Sequence, residues 1–128
     1  MRLLIVEHND DKKNQMAHDI KLAERVREYL AEFPGLKIEE KRMFSGLAFM
    51  VNSKMCINVS GDTLMCRFDP VVLKVVSEKP GFKPMIMKGR QLNGYCYVEP
   101  FGLKQREDFE FWLNLCLDYN KIAKASRK

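Results

Sequence analysis

Catalysis of proton transfer usually relies on histidine, but the histidines of this chain lie near its N-terminus, outside the predicted helices and strands. Both of them, His8 and His18, precede the first predicted helix, which begins after Asp19. This excludes Ser-His-Asp and Cys-His arrangements from the chain that follows Asp19. Carboxylate pairs occur at 39–40 and 107–108. Neighbours on a strand point to opposite faces, and carboxylates in a first helical turn favour the helix dipole, so we expect no acid/base pair and no enzyme.

Cysteines could bind a metal or form disulfides, but their spacing here favours neither. The four cysteines, Cys56, Cys66, Cys96 and Cys116, lie far apart and form no CxxC pair. Each falls within a predicted strand or helix, where a thiol packs as a small hydrophobe. The sequence therefore predicts four reduced and mostly buried thiols, without a metal site.

Cofactor motifs are likewise absent from the sequence. The stretch "VSGD" at 59–62 has the residue types of a small anion-binding nest, but a turn is needed there in any case. The chain has no GxGxxG, P-loop or nucleophile-elbow motif. We expect no cofactor.

The elements that would position any site follow from hydrophobic periodicity. A helix is predicted from Asp19 to the Pro-Gly stop at 34–35, and a second from Asp69 to the stop at 80–81. Between them, residues 36–68 alternate with a period of two and contain only short turns, which predicts an antiparallel β-meander. Two further short strands, "PMIMKG" and "GYCYVEP", precede a long helix from Gln105 to about Ile122. The expected fold class is α+β, with helices packed on an antiparallel sheet.

The last helix has more apolar surface than one contact face needs. One stripe holds Phe109, Trp112, Leu113, Cys116 and Asn120, whereas Phe111, Leu115 and Ile122 fall outside it. Such an excess indicates either deep burial or contact with a second chain. A homodimer through Phe111, Trp112 and Leu115 is the simplest form of such a contact.

Composition and charge set the class of protein. The 128 residues are 46% hydrophobic, which suits one globular domain, and no apolar run approaches the roughly 20 residues of a membrane span. The start "MRLLIVEHND" has no small-residue cleavage site, so we expect a soluble cytoplasmic protein with no membrane partner. The net charge of +5 comes mainly from residues 36–98 and from the tail 119–128. A solvated basic surface and a polyanion contact both fit this distribution.

The stretch "KRMFSGLAFMVN" at 41–52 fits two interpretations. Basic residues, a glycine and two aromatics are typical of an RNA-stacking strand, but Phe44 precedes a turn and Phe49 shares a face with Leu47 and Val51. We therefore expect both aromatics to be buried. Only Lys41 and Arg42 then remain as contact residues in this stretch.

Three segments together resemble the N-terminal domain of the TfoX/Sxy family, bacterial regulators of competence development. They are "LAERVREYLAEFPG" at 22–35, "EKRMFSGLAFMVNSKMCINVSGDTLMCRFDP" at 40–70 and "PMIMKGRQLNGYCYVEPFGL" at 84–103. The second is similar to the family's Lys-Lys-Met-Phe-Gly-Gly strand pair, with Ser45 where the family often has its first glycine. The resemblance implies an α+β fold with an antiparallel sheet, similar to secretion-chaperone-like folds. Longer members add a C-terminal helical domain, which these 128 residues lack.

The resemblance also suggests the domain boundaries. Residues 1–15 form an N-terminal extension, either flexible or an edge strand, and family-like sequence runs from 16 to 122, followed by a basic tail at 123–128.

Three classes of function compete at this level. The leading one is a small non-enzymatic regulatory domain that acts through protein contacts in bacterial competence or transcription. Its predicted contact residues are either the exposed basic residues of the meander or the apolar excess on the last helix: Lys41, Arg42, Lys54, Arg67, Phe111, Trp112 and Leu115. The alternative is a nucleic-acid-binding module that uses Phe44, Phe49, Arg42 and the tail lysines. An enzyme is disfavoured, since no S-adenosylmethionine loop is visible to match the methyltransferase-like labels of some relatives.

Overall fold

The computed structural model of this chain describes residues 19–123. The predicted N-terminal extension and nearly all of the basic tail lie outside the described residues. The helices are α1 (Ile20–Leu30), α2 (Leu73–Val76) and α3 (Arg106–Asn120), and short 3-10 turns cover Pro70–Val72 and Pro100–Gly102. The strands are β1 (Ile38–Met43), β2 (Gly46–Val51), β3 (Lys54–Ser60), β4 (Thr63–Arg67), β5 (Phe82–Met87) and β6 (Arg90–Val98).

The six strands form one antiparallel sheet in the order β1-β2-β3-β4-β6-β5. The first four strands are the predicted meander, because each is joined to the next by a tight turn. The segment containing α2 then carries the chain past β6, so β5 becomes the outer edge and β6 pairs with β4. The α+β fold class predicted from the sequence is confirmed.

The main core lies between the sheet and the helices. Phe49 and Val51 of β2 and Ile57 of β3 are fully buried there against Val26 of α1 and Trp112 of α3. This confirms the predicted alternation on β2, where every second side chain faces the core. The same core contains most of the stripe predicted on α3, including Phe109, Leu113 and Cys116.

The opposite face of the sheet carries a second cluster rich in methionine. Its buried members are Ala48, Met50, Met55, Met65 and Met85. Among the described residues this cluster is built from strands only, with partly buried members such as Tyr95 and Tyr97 of β6. Unbranched methionine side chains adapt to irregular gaps, which suits a sheet with register shifts in the β2–β3 and β5–β6 pairs.

Helix α1 begins where the sequence predicts. The Asp19 carboxylate accepts hydrogen bonds from the backbone N–H groups of Lys21 (2.8 Å) and Leu22 (3.1 Å), so two free donors of the first turn are satisfied. The helix ends at Leu30, a few residues before Pro34. Because a residue preceding proline avoids the helical region, Phe33 cannot continue the helix.

The middle helix is shorter than predicted. Asp69 caps it as expected, accepting a hydrogen bond from the Val71 N–H (3.0 Å), but a 3-10 turn takes up the first residues and α2 is one turn long. The segment holds four valines, at positions 71, 72, 75 and 76. Branching at Cβ restricts these side chains in a helix and lowers their helix propensity.

The turn between β1 and β2 is strained, and this gives a stability prediction. Phe44 and Ser45 both adopt positive φ, 54° and 58°, as a two-residue hairpin loop requires. Left-handed backbone costs an L-residue about 1–2 kcal/mol, whereas glycine adopts it freely. We expect Ser45→Gly to raise the free energy of unfolding by about 0.5 kcal/mol, after the added chain entropy of glycine is deducted. Chemical denaturation measures this change.

The matched control is the opposite replacement in another hairpin. Gly89 has φ of 78°, and a Cβ there would meet no atom within 4 Å, so Gly89→Ala isolates the backbone effect. It should lower the free energy of unfolding by about 1 kcal/mol. If Ser45→Gly also lowers stability, the left-handed turn at 44–45 is not the source of strain.

Candidate functional site

The two basic residues at the rim of the meander, Lys41 and Arg42, are both exposed on the outer strand β1. Lys41 pairs with Ala48, which belongs to the methionine-rich face, whereas Arg42 pairs with Leu47, on the face of the main core. The two cations therefore point to opposite faces of one edge strand. Both cations are therefore available to a partner that contacts β1 from either face of the sheet.

Charge also protects this edge from pairing with another strand. Residues 39–42 are all charged and exposed, and Glu40 accepts two hydrogen bonds from the Arg27 guanidinium of α1, at 2.6 and 2.8 Å. The same contact raises the pKa of Arg27. Charged side chains on an outer strand oppose edge-to-edge aggregation, so β1 favours contacts through side chains rather than added strands.

Lys54 is not an exposed contact residue, because it closes the C-terminal end of α3. Its half-buried side chain donates from Nζ to the carbonyl oxygens of Asn120 (2.5 Å) and Ala123 (3.1 Å). The last carbonyls of a helix have no partner within the helix and carry partial negative charge, which a cation stabilises. The expectation of exposure is wrong for Lys54, and its observed role is structural.

Arg67 is also half-buried rather than exposed. Its Nη1 donates to the Met55 carbonyl at 3.3 Å, and the guanidinium lies 6.0 Å from the ring centroid of Tyr95 and 5.6 Å from that of Tyr119. Stacking against aromatic rings restrains the side chain at the end of the sheet. Arg67 therefore joins the sheet to α3.

Some apolar side chains of α3 lie inside the core, and others lie at its edge. We call the half-buried edge formed by Phe111 and Leu115 the margin of α3. Trp112 is fully buried, so the prediction that it contacts a second chain is wrong; helix geometry places it at the centre of the stripe that faces the sheet. Phe111 and Leu115 are half-buried and pack against the same core. The Lys79 ammonium lies 4.2 Å from the Phe111 ring centroid and shields part of that margin.

The two aromatics of "KRMFSGLAFMVN" have different surroundings. Phe49 is fully buried, as predicted, but Phe44 is 51% exposed, and the expectation that it is buried is wrong. The left-handed backbone of the hairpin turn directs Phe44 away from the core. The structure therefore does not form a pair of stacking aromatics at these positions.

The four cysteines gather in the main core although they are far apart in sequence. Cys66 and Cys96 are direct cross-strand neighbours on β4 and β6, and the Cys66 thiol lies against those of Cys96 and Cys116. All four are buried. Among the described residues, no three His, Cys, Asp or Glu side chains form an arrangement that could hold a metal ion.

Burial makes these thiols chemically inert, which gives a second prediction. Desolvation raises the pKa of both Cys56 and Cys66, and neighbouring thiols raise it further, so both stay protonated well above neutral pH. Only the thiolate attacks a disulfide reagent. We expect essentially none of the four thiols to react with Ellman's reagent at pH 8 in the folded protein, and all four in guanidinium chloride. A thiol that reacts in the folded protein as fast as a free cysteine would contradict the buried cluster.

A surface cleft of about 420 Å³ runs between α1 and α3. Its lining combines three cations with three carboxylates: Arg25, Lys104, Arg106, Glu28, Glu32 and Glu110. Arg25 donates to the Leu103 carbonyl at 2.9 Å and lies over the Phe109 ring, while the Tyr29 hydroxyl is hydrogen-bonded to Asn114 at 2.5 Å. Charges of both signs leave the cleft without a dominant potential, and Arg25 and Tyr29 already bond to other parts of the fold.

The hairpin formed by β5 and β6 contains none of the contact residues predicted from the sequence. Ile86 and Met87 are apolar, yet their side chains are 56% and 50% exposed. Consecutive apolar residues on a strand must face opposite sides, so a sheet covered on one side leaves one of them outside. Lys88 lies in the turn and Arg90 follows it, and both are also exposed.

Comparison with models of protein families shows to which family this chain belongs. A family model for the TfoX N-terminal domain matches residues 28–119. The chain belongs to the TfoX N-terminal domain family. The match begins within α1, ends within α3 and includes all six strands. Searches of curated proteins and of solved structures found no significant match. Within the described part of this TfoX-type domain, no helix is long and apolar enough to cross a membrane.

Proposed function

We propose that this TfoX-type domain is a non-enzymatic regulator in the bacterial cytoplasm, which acts in competence development or transcription through contacts with other proteins. The observation that carries the proposal is the family match over residues 28–119. It is consistent with the cleft between α1 and α3, where the side chains of Arg25 and Tyr29 bond to other groups of the fold. A fold without a reactive site leaves function to its contacts.

The contact surface in this proposal is the outer strand β1. Lys41 and Arg42 are the two predicted basic residues that the structure leaves exposed, whereas Lys54 and Arg67 donate to backbone carbonyls. Exposed cations at a charged edge favour a partner with acidic side chains. Homodimerisation is a second part of the proposal, and it would use Phe111 and Leu115 at the margin of α3.

A genetic experiment tests the proposed function. Deletion of the gene should lower transcription of competence genes and the frequency of transformation, and the wild-type gene should restore both. The double variant Lys41→Glu/Arg42→Glu should fail to restore them while the protein stays folded and abundant. The control Lys21→Glu/Lys74→Glu makes the same charge change at two other exposed positions and should restore both. Normal transcription and transformation in the deletion strain would overturn the proposal.

Sedimentation velocity over a hundredfold range of concentration tests the homodimer separately. A dimer through the margin of α3 should dissociate in Phe111→Ser/Leu115→Ser, without loss of folded structure by circular dichroism. A monomer at every concentration of the wild-type protein would remove homodimerisation and leave the β1 contact in place.

A further inference from the structure

The β5–β6 hairpin extends beyond the rest of the sheet. Strand β4 pairs with β6 only from Leu64↔Val98 to Arg67↔Tyr95, followed by one hydrogen bond from the Phe68 N–H to the Gly94 carbonyl at 2.9 Å. Before Gly94, the residues of β6 pair with β5 alone, as in Met87↔Arg90. The end of the hairpin is therefore a two-stranded ribbon, and residues 86–91 are all exposed.

The β5–β6 hairpin as a whole concentrates positive charge. Residues 82–98 contain Lys83, Lys88 and Arg90 and no acidic residue, whereas residues 19–123 as a whole contain sixteen basic and fourteen acidic residues. The hairpin thus supplies more than the entire net charge of the described chain. Lys83 lies 3.7 Å from Glu99, but neither Lys88 nor Arg90 forms an ion pair with a described carboxylate. The two cations at the tip are available to an anionic partner.

Apolar side chains accompany these cations on both sides of the ribbon. Ile86 and Met87 are consecutive, so one lies on each face, next to the turn formed by Lys88 and Gly89. Pro84 and the register shift after it interrupt the outer edge of β5, which opposes addition of a partner strand there. The ribbon is therefore better suited to insertion into a groove than to extension of the sheet.

We propose that the β5–β6 hairpin is an arm that enters a groove of duplex DNA. A two-stranded β-ribbon fits the major groove, which is about 12 Å wide, and isoleucine and methionine are among the residues that wedge between base steps in the minor groove. Lys88 and Arg90 contact phosphates on the groove walls, and Lys83 contacts one nearer the base of the arm. Because Ile86 and Met87 lie on opposite faces of the ribbon, the one on the inserted face contacts the bases. The exposed amides Gln91 and Asn93 are capable of bidentate base recognition, but the phosphate contacts supply most of the binding, so it is mainly independent of sequence.

The number of phosphate contacts determines how steeply the affinity for DNA falls with salt concentration. Three phosphate contacts release counterions with a slope of log K against log salt of about −2.7, which is a loss of about 40-fold in affinity between 50 and 200 mM salt. Removal of the two cations at the tip leaves one contact and a slope of about −0.9. This change is independent of any protein contact made by β1.

The test is fluorescence anisotropy of a labelled 24-base-pair duplex with the full-length protein at several salt concentrations. Lys88→Asn/Arg90→Gln removes the charges, and asparagine suits the positive φ of 52° at position 88. We expect this variant to bind at least tenfold more weakly at 50 mM salt, with the shallower slope. Lys21→Gln/Lys37→Gln makes the same charge change elsewhere and should keep the wild-type slope. Ile86→Ser/Met87→Ser should weaken duplex binding several-fold at an unchanged slope.

Several results would overturn the proposal. One is absence of duplex binding at 50 mM salt, and another is an unchanged slope in the tip variant. A third is loss of binding in Lys124→Ser/Arg127→Ser/Lys128→Ser alone, which would assign the contact to the tail. Equal competition by polyglutamate, or equal binding to anionic phosphatidylglycerol vesicles, would show a general polyanion contact rather than a groove-binding arm. Thermal unfolding of each variant confirms that the fold is retained.

Discussion

Replacement of Trp112 by alanine is expected to lower the free energy of unfolding by about 3–5 kcal/mol. Trp112 is among the largest side chains that the structure buries completely, and it lies where α3 packs on the sheet. Its Nε1 has no hydrogen-bond acceptor among the described residues, so the expected loss comes from packing and from the cavity left behind. Domains of this size are stable by about 5–15 kcal/mol, so the variant should lose a large fraction of its stability. Urea denaturation followed by circular dichroism measures the loss.

The control for this variant lies just beyond the same helix. Ile122 is 68% exposed, and Ile122→Ala should change the free energy of unfolding by less than about 0.5 kcal/mol. If Trp112→Ala instead dissociates a dimer and leaves the stability of the monomer within about 1 kcal/mol of the wild-type value, the burial of Trp112 within one chain is contradicted.

Replacement of Gly46 by alanine is expected to cost about 3 kcal/mol, because there is no room for a Cβ at the start of β2. A Cβ built there would lie 2.3 Å from the Val59 carbonyl oxygen and 2.4 Å from the Asn58 Oδ1. The first is a backbone atom of the neighbouring strand and cannot move without disturbing the sheet. The second belongs to a fully buried amide whose Nδ2 donates to the Met43 carbonyl at 2.9 Å, and a shift would weaken that bond.

Gly35→Ala is the matched control for Gly46→Ala. A Cβ at Gly35 would meet no heavy atom within 4 Å, so this replacement should change the free energy of unfolding by less than about 0.5 kcal/mol. Denaturation of both variants under the same conditions compares them directly. Equal stability of the two variants would contradict the close approach of β2 and β3 at Gly46.

The sequence was sufficient to predict most elements and the character of the fold. Periodicity identified the meander, the stripe on α3 and the capping residues Asp19 and Asp69, because each is a local pattern. The length of α2 was overestimated. Its capping residues indicate a longer helix, but the β-branched residues of the segment oppose one. The position of β6 between β4 and β5 depends on pairing between distant segments, and no local pattern indicates it.

Exposure of the candidate contact residues was harder to predict, for the same reason. Lys54 is bonded to residues 66 and 69 positions away in the chain, and the two rings that flank Arg67 lie on β6 and near the end of α3. A basic residue in an alternating strand is usually solvated, and only the fold reveals such distant partners. Phe44 is expected to be buried because it precedes the predicted turn, whereas it lies within the turn itself and is exposed.

We propose that this TfoX-type domain works through protein contacts at the edge formed by β1. Photo-crosslinking in living cells tests it most directly, with a photoreactive amino acid at position 42 and, as the control, at position 35. The claim predicts a discrete adduct with one other protein from position 42 and none from position 35. It is contradicted if position 42 gives no adduct, or if both positions give the same adducts.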